Sequence, residues 1–295
     1  KETNNPIALQ GWYSPDELMA KFKQNVDEAD QKLSNLPYDF LRDPDGLNFR
    51  HYQLSAVEAV ENAVINGQNR ILLAMATGTG KTRTILGMIY RFLKTNRFRR
   101  ILFLVDRTAL GEQALDVFKD VKLEDLQPLN KIYNINSLED IDVANETRIQ
   151  VATVQGMVAR ILSDDKSRIP SSGDFDCIII DEAHRGYTLD KELGEVELLY
   201  RNQNDFISKY KKVIEYFDAV RIGLTATPAL HTRQIFGDAV YTYSYREAVI
   251  DGYLVDYDAP HIIKTELNQK GIHHIKGEIL PKYNPITKEL VNGEE

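Results

Sequence analysis

The chain has 295 residues, 43% of them hydrophobic, and one cysteine, Cys177, which supports a large buried core and excludes a disulfide-stapled scaffold. No run approaches the ~18 apolar residues of a membrane span and the polar N-terminus lacks a signal-peptide pattern, so the expected location is cytoplasmic, with no membrane partner. A formal net charge of −8 excludes a surface that is basic throughout, so any nucleic-acid contact has to be local.

Residues 1–48 read as a polar lead-in that packs on the main body. The chain starts at Lys1 rather than methionine, which fits a piece of a longer polypeptide. Ser14-Pro15-Asp16-Glu17 starts a helix, with a capping serine, proline at the first position and glutamate at the third. Leu18, Met19, Phe22 and Val26 are expected to form its apolar stripe, before Pro37 and Asp43-Pro44-Asp45-Gly46 break the chain. A nuclease site would need Asp followed by Glu-x-Lys on a strand. Asp30-Gln31-Lys32, in a polar helix-like stretch, does not meet that pattern.

From residue 49 the pattern becomes alternating α/β. Phe49-Arg50-His51-Tyr52-Gln53 leads into helical spacing at Leu54, Val57, Val60, Val64 and Ile65, closed by Asn66-Gly67. The Gln53 amide can donate to and accept from the edge of an adenine; standing alone it would be a surface residue at a helix start. Ile71 to Met75 has the composition of a strand buried on both faces. It empties into Thr77-Gly78-Thr79-Gly80-Lys81-Thr82, after which Ile85, Leu86, Met88, Ile89 and Phe92 recur at helical spacing. Strand, glycine turn and helix in that order form a cradle for nucleotide phosphates. The two glycines let successive N–H groups converge on an anion, and the helix dipole points at the same spot. Lys81 would reach the β- and γ-phosphates and the Thr82 hydroxyl would ligate magnesium. Met75 stands where the strict form of this pattern has glycine.

Further strands are expected at Ile101–Val105, Ile132–Ile135, Ile149–Val154, Cys177–Ile180 and Val220–Leu224. Between them lie a helix through Leu110, Ala114, Leu115 and Phe118, an acidic loop over 137–146, and a helical region with Phe206, Tyr210, Val213, Ile214 and Phe217. Ser244-x-x-Glu247 is a second capping box, on a short helix closed by Gly252. Such alternation gives a parallel sheet, and ligands gather beyond the carboxyl ends of its strands. The polar stretches 77–82, 106–108, 153–156, 181–184 and 225–227 each follow an expected strand. Chance motifs would not all fall there. Asp181 suits a magnesium-binding carboxylate opposite Thr82, and Glu182 beside it suits orienting an attacking water. His184 bridges to a neighbouring element or merely packs.

Ala-Thr-Gly-Thr-Gly-Lys-Thr (76–82), Asp-Glu-Ala-His (181–184) and Thr-Ala-Thr (225–227) resemble motifs I, II and III of superfamily 2 helicases. Phe49 to Gln53 resembles the adenine-reading glutamine motif of that group. Asp-Glu-Ala-His-Arg-Gly-Tyr, Gly-Leu-Thr-Ala-Thr-Pro-Ala and Ser-Tyr-Arg-Glu-Ala-Val-Ile-Asp-Gly-Tyr-Leu-Val resemble, more narrowly, the R subunit of type I restriction-modification enzymes. The resemblance covers roughly residues 49–260. It implies an α/β, RecA-like P-loop NTPase domain with a parallel central sheet and helices on both faces. It also implies a motor that uses ATP and Mg2+ to translocate double-stranded DNA, triggering cleavage by a separate nuclease domain. Modification and specificity subunits are the implied partners.

By the same resemblance Lys81, Asp181, Glu182 and His184 are catalytic, and Thr82 and Asp181 hold the metal. Gln53, Thr77, Gly78, Thr79, Gly80, Lys81 and Thr82 bind the nucleotide, while Thr225 and Thr227 couple the site to motion. Arg107, Thr153 and Gln155 fall at DNA-contact positions, and their chemistry suits phosphates rather than base edges. The implied organisation is a lead-in over 1–48, a first motor domain over 49–252 and the start of a connector over 253–295. No nuclease motif is present, and no Gln-x-x-Gly-Arg-x-x-Arg element of a second motor domain follows residue 260. Two other readings stay open: an RNA helicase, repair or chromatin-remodelling motor on the same motifs, or an ATP-regulated nucleic-acid-binding scaffold. The intact Glu182 speaks against the scaffold.

Overall fold

The computed structural model describes residues 12–44, 46–105, 116, 135–136, 147–163, 169–183, 211, 213–257, 281–283 and 290–292. The expectations for residues 106–115, 117–134, 137–146, 184 and 206–210 lie outside the described residues.

Apolar runs become the strands β1 (Arg70–Met75), β2 (Ile101–Val105), β4 (Ile149–Thr153), β5 (Cys177–Ile180) and β6 (Val220–Thr225). With the short β3 (Ile135–Asn136) and with β7 (Ala239–Tyr243) they form one sheet among the described residues, ordered β3-β4-β2-β5-β6-β1-β7. Every neighbouring pair is parallel. Alternation along the strands then builds two cores. Ile71, Leu73, Met75, Phe103, Ile179 and Leu224 pack toward α2 (Val26–Asn35), α4 (His51–Ile65) and α5 (Lys81–Lys94). Leu72, Leu102, Leu104, Ile178 and Ile180 pack on the other face, against α6 (Val154–Ile161), α7 (Leu230–Phe236) and Val213, Ile214 and Phe217. The expected parallel sheet with helices on both faces is therefore present.

Three elements were not expected. The N-terminus of α6 is capped by the Thr153 hydroxyl, which accepts from Gly156 N, and the helix buries Val154, Met157 and Val158. After β6 the chain forms α7 and then β7, a half-exposed strand added beside β1. At the other edge of the sheet the described part of β3 is Ile135–Asn136, and residues 132–134 of the strand expected over 132–135 lie outside the described residues.

The lead-in also differs from its pattern. Its helical stretch breaks into α1 (Pro15–Lys23), α2 and the single turn α3 (Asp39–Arg42), because Asn25 caps a new helix by accepting from Glu28 N. The Ser14/Glu17 capping box of α1 is present. The stripe expected to be buried faces outward instead: Met19 is 55% and Phe22 85% exposed. What holds α1 is its polar face, since Tyr13 and Lys21 bond Asp218, and Glu17 accepts from Ser171 Oγ. Hydrogen bonds and an ion pair set the orientation that hydrophobic periodicity would have reversed. Leu33, Leu41 and Leu47 do enter the main core, and Asp30 pairs with Arg97 on the surface of the body.

The chain divides into two compact units, residues 1–255 and 256–295. Within the second, β8 (Pro281–Tyr283) pairs antiparallel with β9 (Leu290–Asn292). No helix among the described residues is long and apolar enough to cross a membrane.

Candidate nucleotide-binding site

Parallel pairing puts the carboxyl ends of β1, β4, β5 and β6 on one edge of the sheet, which brings residues 76–82, 153–156, 181–183 and 225–227 to that edge. The loop after β1 is anchored at its start by Ala76 N donating to Tyr243 O at 3.0 Å. Thr79 folds back, its hydroxyl donating to Ala76 O at 2.6 Å. Gly78 and Gly80 adopt φ of +84° and +81°, a region that penalises a Cβ. Thr77, Gly78 and Gly80 are exposed, whereas Lys81 at the start of the 14-residue α5 is 7% exposed. Exposed loop amides, a helix N-terminus and a desolvated lysine thus sit within six consecutive residues. This composition favours an anion.

Lys81 Nζ lies 3.3 Å from Glu182 Oε1. The turn that carries Glu182 is fixed by Asp181 N donating to Leu104 O and Ala183 N donating to Leu224 O, at 3.0 and 2.7 Å. Glu182 itself has φ of +50°, rare for a residue with a Cβ, and its N–H is taken by Asp181 Oδ1 at 2.9 Å. A lysine and a glutamate 101 positions apart in the numbering therefore meet in a short ion pair, with a strained backbone under the acid.

Gln53 is placed differently from a free base reader. It is buried, with Nε2 donating to Thr79 O, Gly80 O and Thr84 Oγ1 at 3.4, 3.3 and 3.4 Å, while Oε1 accepts from Arg50 N at 3.0 Å. In this structure its amide braces the cradle from behind. Tyr52 adds a hydrogen bond from its hydroxyl to Thr79 O at 3.0 Å, and its ring stacks on Tyr243 at 4.0 Å and 10°. Burial pushes the Tyr243 hydroxyl above its ordinary range, helped by its hydrogen bond to Asp251. Sequence reasoning passed over Tyr52 and Tyr243. Their signal was only an aromatic before Gln53 and one ending a strand that was itself unforeseen.

Thr225 is buried and closes a local turn: its hydroxyl donates to Thr227 O and accepts from Thr227 N, each at 3.2 Å. Thr153 spends its hydroxyl on the α6 cap, and Gln155 stands half-exposed two residues on. Arg107 and His184 lie outside the described residues.

A family model described as type III restriction enzyme, res subunit, matches residues 46–230. The chain is 48% identical over 289 residues to the type I restriction enzyme EcoKI endonuclease subunit of Escherichia coli K12, covering 98% of this chain and 24% of that protein. It is 34% identical over 284 residues to the EcoAI endonuclease subunit of Escherichia coli, covering 93% of this chain and 32% of the relative. The chain thus spans about a quarter to a third of the length of these relatives. In structure it resembles a fragment of a putative HsdR subunit of a type I restriction enzyme from Vibrio vulnificus YJ016, with a TM-score of 0.50 at 24% identity over 82% of this chain and 38% of that one. The likeness to that structure is one of fold, a parallel sheet with helices on both faces.

Proposed function

Because this chain belongs to the family described as type III restriction enzyme, res subunit, and is homologous to the helicase-like region of type I R subunits, we propose that it is the ATP-binding motor half of such a subunit. The motor drives translocation on double-stranded DNA, with cleavage and the second half of the motor supplied elsewhere in the complete polypeptide. One observation supports this above the rest: Lys81, at the head of α5, meets Glu182, at the end of β5, on the edge where the glycine loop opens.

The residues fit a magnesium–nucleotide. Loop amides at 77–80 would bind phosphate oxygens, and Lys81 would exchange its ion pair with Glu182 for the β- and γ-phosphates. Among the described residues no group of three or more His, Cys, Asp or Glu forms a metal cage. Thr82 and Asp181, both half-exposed, would therefore share the magnesium with phosphate oxygens, as that ion prefers. Bound magnesium supplies charge neutralisation at the transferring phosphate. Glu182, released from Lys81, would orient the attacking water. Thr153 and Gln155, with Arg107, would touch the DNA backbone, and the Thr225–Thr227 turn would pass the nucleotide state on. Modification and specificity subunits are the proposed partners.

The test is ATPase turnover of the complete subunit with long double-stranded DNA, RNA or neither, for wild type and Glu182→Gln. The reading expects stimulation by double-stranded DNA and a loss of roughly 10²–10⁴-fold in the variant with nucleotide binding kept. Stimulation by RNA alone would favour an RNA helicase. Wild-type turnover by Glu182→Gln would assign the water to another group.

A further inference from the structure

The segment Ser244 to Val255, which marks the subfamily in the sequence, has no part in the reading above. Its course in the structure is specific. The helix α8 (Tyr245–Ile250) starts at the Ser244/Glu247 capping box and ends at Gly252, with φ of +74°. That turn sends the N–H groups of both Tyr253 and Leu254 back to Ala248 O, at 2.8 and 3.0 Å. The chain is thereby folded over the start of α4 and the glycine loop.

Two side chains make the contact. The Tyr253 ring lies edge-on to Tyr52 at 5.2 Å and carries the Arg50 guanidinium over its face at 4.3 Å. Tyr52 in turn donates its hydroxyl to Thr79 O in the loop. Leu254 reaches the loop directly: a Cβ built on Gly78 would stand 3.2 Å from Leu254 Cδ2. The isobutyl group therefore rests against the backbone of the residue whose positive φ shapes the cradle. Leu254 has nothing with which to bind a phosphate. What it can do is deny the loop room to swing away, while the tyrosine pair holds Thr79 from the adjoining side.

We propose that Tyr253 and Leu254 form a strap that fastens the glycine loop in its anion-receiving shape, making both positioning residues for nucleotide binding; this rests on the cradle reading above. A loop with exposed Thr77, Gly78 and Gly80 has many competing conformations, and holding one of them before the ligand arrives removes that ordering from the binding step. Removing the strap therefore weakens binding of the nucleotide without altering the chemistry that follows.

The experiment measures KM for ATP, kcat, and nucleotide-free melting of the complete subunit for wild type, Leu254→Gly, Leu254→Met and Tyr253→Ala. Titration with a fluorescent ATP analogue in magnesium runs beside it, with Lys81→Ala as control. Leu254→Gly should raise KM and the analogue Kd about tenfold while kcat stays within about twofold, the signature of lost binding rather than lost transition-state contact. Tyr253→Ala should move KM the same way, Leu254→Met should restore it, and melting should stay at the wild-type value. Unchanged KM, a loss confined to kcat, or a fall in melting that Met does not rescue overturns the strap. If Lys81→Ala binds the analogue as tightly as wild type, the cradle itself is misread; if Lys81→Ala fails to bind and Leu254→Gly binds normally, the strap alone is wrong.

Discussion

Arg91 lies in the last turn of α5, the helix that Lys81 begins, and none of it reaches solvent. Its Nε and Nη2 donate to the two oxygens of Glu61 at 2.5 and 3.0 Å. The remaining donors go to the carbonyls of Pro37, Leu36 and Leu33 at 2.9, 3.0 and 3.4 Å, and the guanidinium lies 3.9 Å over the Tyr38 ring. One cation thus joins the cradle helix, α4 and the end of α2. Arg91→Met keeps much of the stem and removes every donor. Glu61, whose carboxyl burial pushes up and Arg91 pulls back, would retain only the Tyr38 hydroxyl at 2.7 Å. Removing one partner of a buried pair costs about 3–5 kcal/mol, against ~0.5 for an ordinary surface change. At about 2–4 °C per kcal/mol for a unit of this size, Tm should fall by roughly 6–20 °C. Adding Glu61→Leu removes the stranded charge and should recover part of the loss, though not all of it, because three carbonyls still lack their donor. Thermal melting followed by circular dichroism checks both. A single variant within 2 °C of wild type, or a double variant no better than the single, would refute the reasoning.

Gln53→Glu replaces the donor facing Thr79 O, Gly80 O and Thr84 Oγ1 with an acceptor, and should weaken binding of the ATP analogue more than Gln53→Ala does. Equal effects of the two would show that the amide does not brace the cradle. The Asp218 carboxyl, which burial alone would raise, is held below its usual range by Lys21 and Tyr13. A depressed acid stabilises above its unfolded value of about 3.9 and stops doing so as pH falls through the lower folded value. The attachment of α1 should therefore loosen below about pH 4. The anisotropy of Trp12, the one tryptophan in the sequence, should drop there, and Asp218→Asn should show the same drop near neutral pH.

What could be read from sequence was whatever depended on local pattern. Five apolar runs became five parallel strands, and the described stretches after β1, β4, β5 and β6 reached one edge because parallel pairing leaves no alternative. That Lys81 and Glu182 would come to the same edge was legible for the same reason. Contacts between distant residues were not. Nothing in Phe-Leu-Lys or its neighbours announces that Arg91 is enclosed, since its partners are a glutamate on another helix and three backbone carbonyls. The strand β7 alternates weakly and is half-exposed, so its place beside β1 is fixed by pairing rather than by its own composition. The stripe on α1 misled because hydrophobic period reports a face, not which way that face turns. Three polar contacts to the body, from Tyr13, Glu17 and Lys21, decided the direction.

The central claim is that the loop after β1 holds a magnesium–nucleotide through Lys81. The most direct measurement is equilibrium titration of wild type and Lys81→Ala with a fluorescent ATP analogue, in magnesium and again after chelation. The account predicts saturable, magnesium-dependent binding to wild type and its near-complete loss in the variant, because no other side chain in the cradle carries positive charge toward the phosphates. Equal affinity for the two proteins would contradict it.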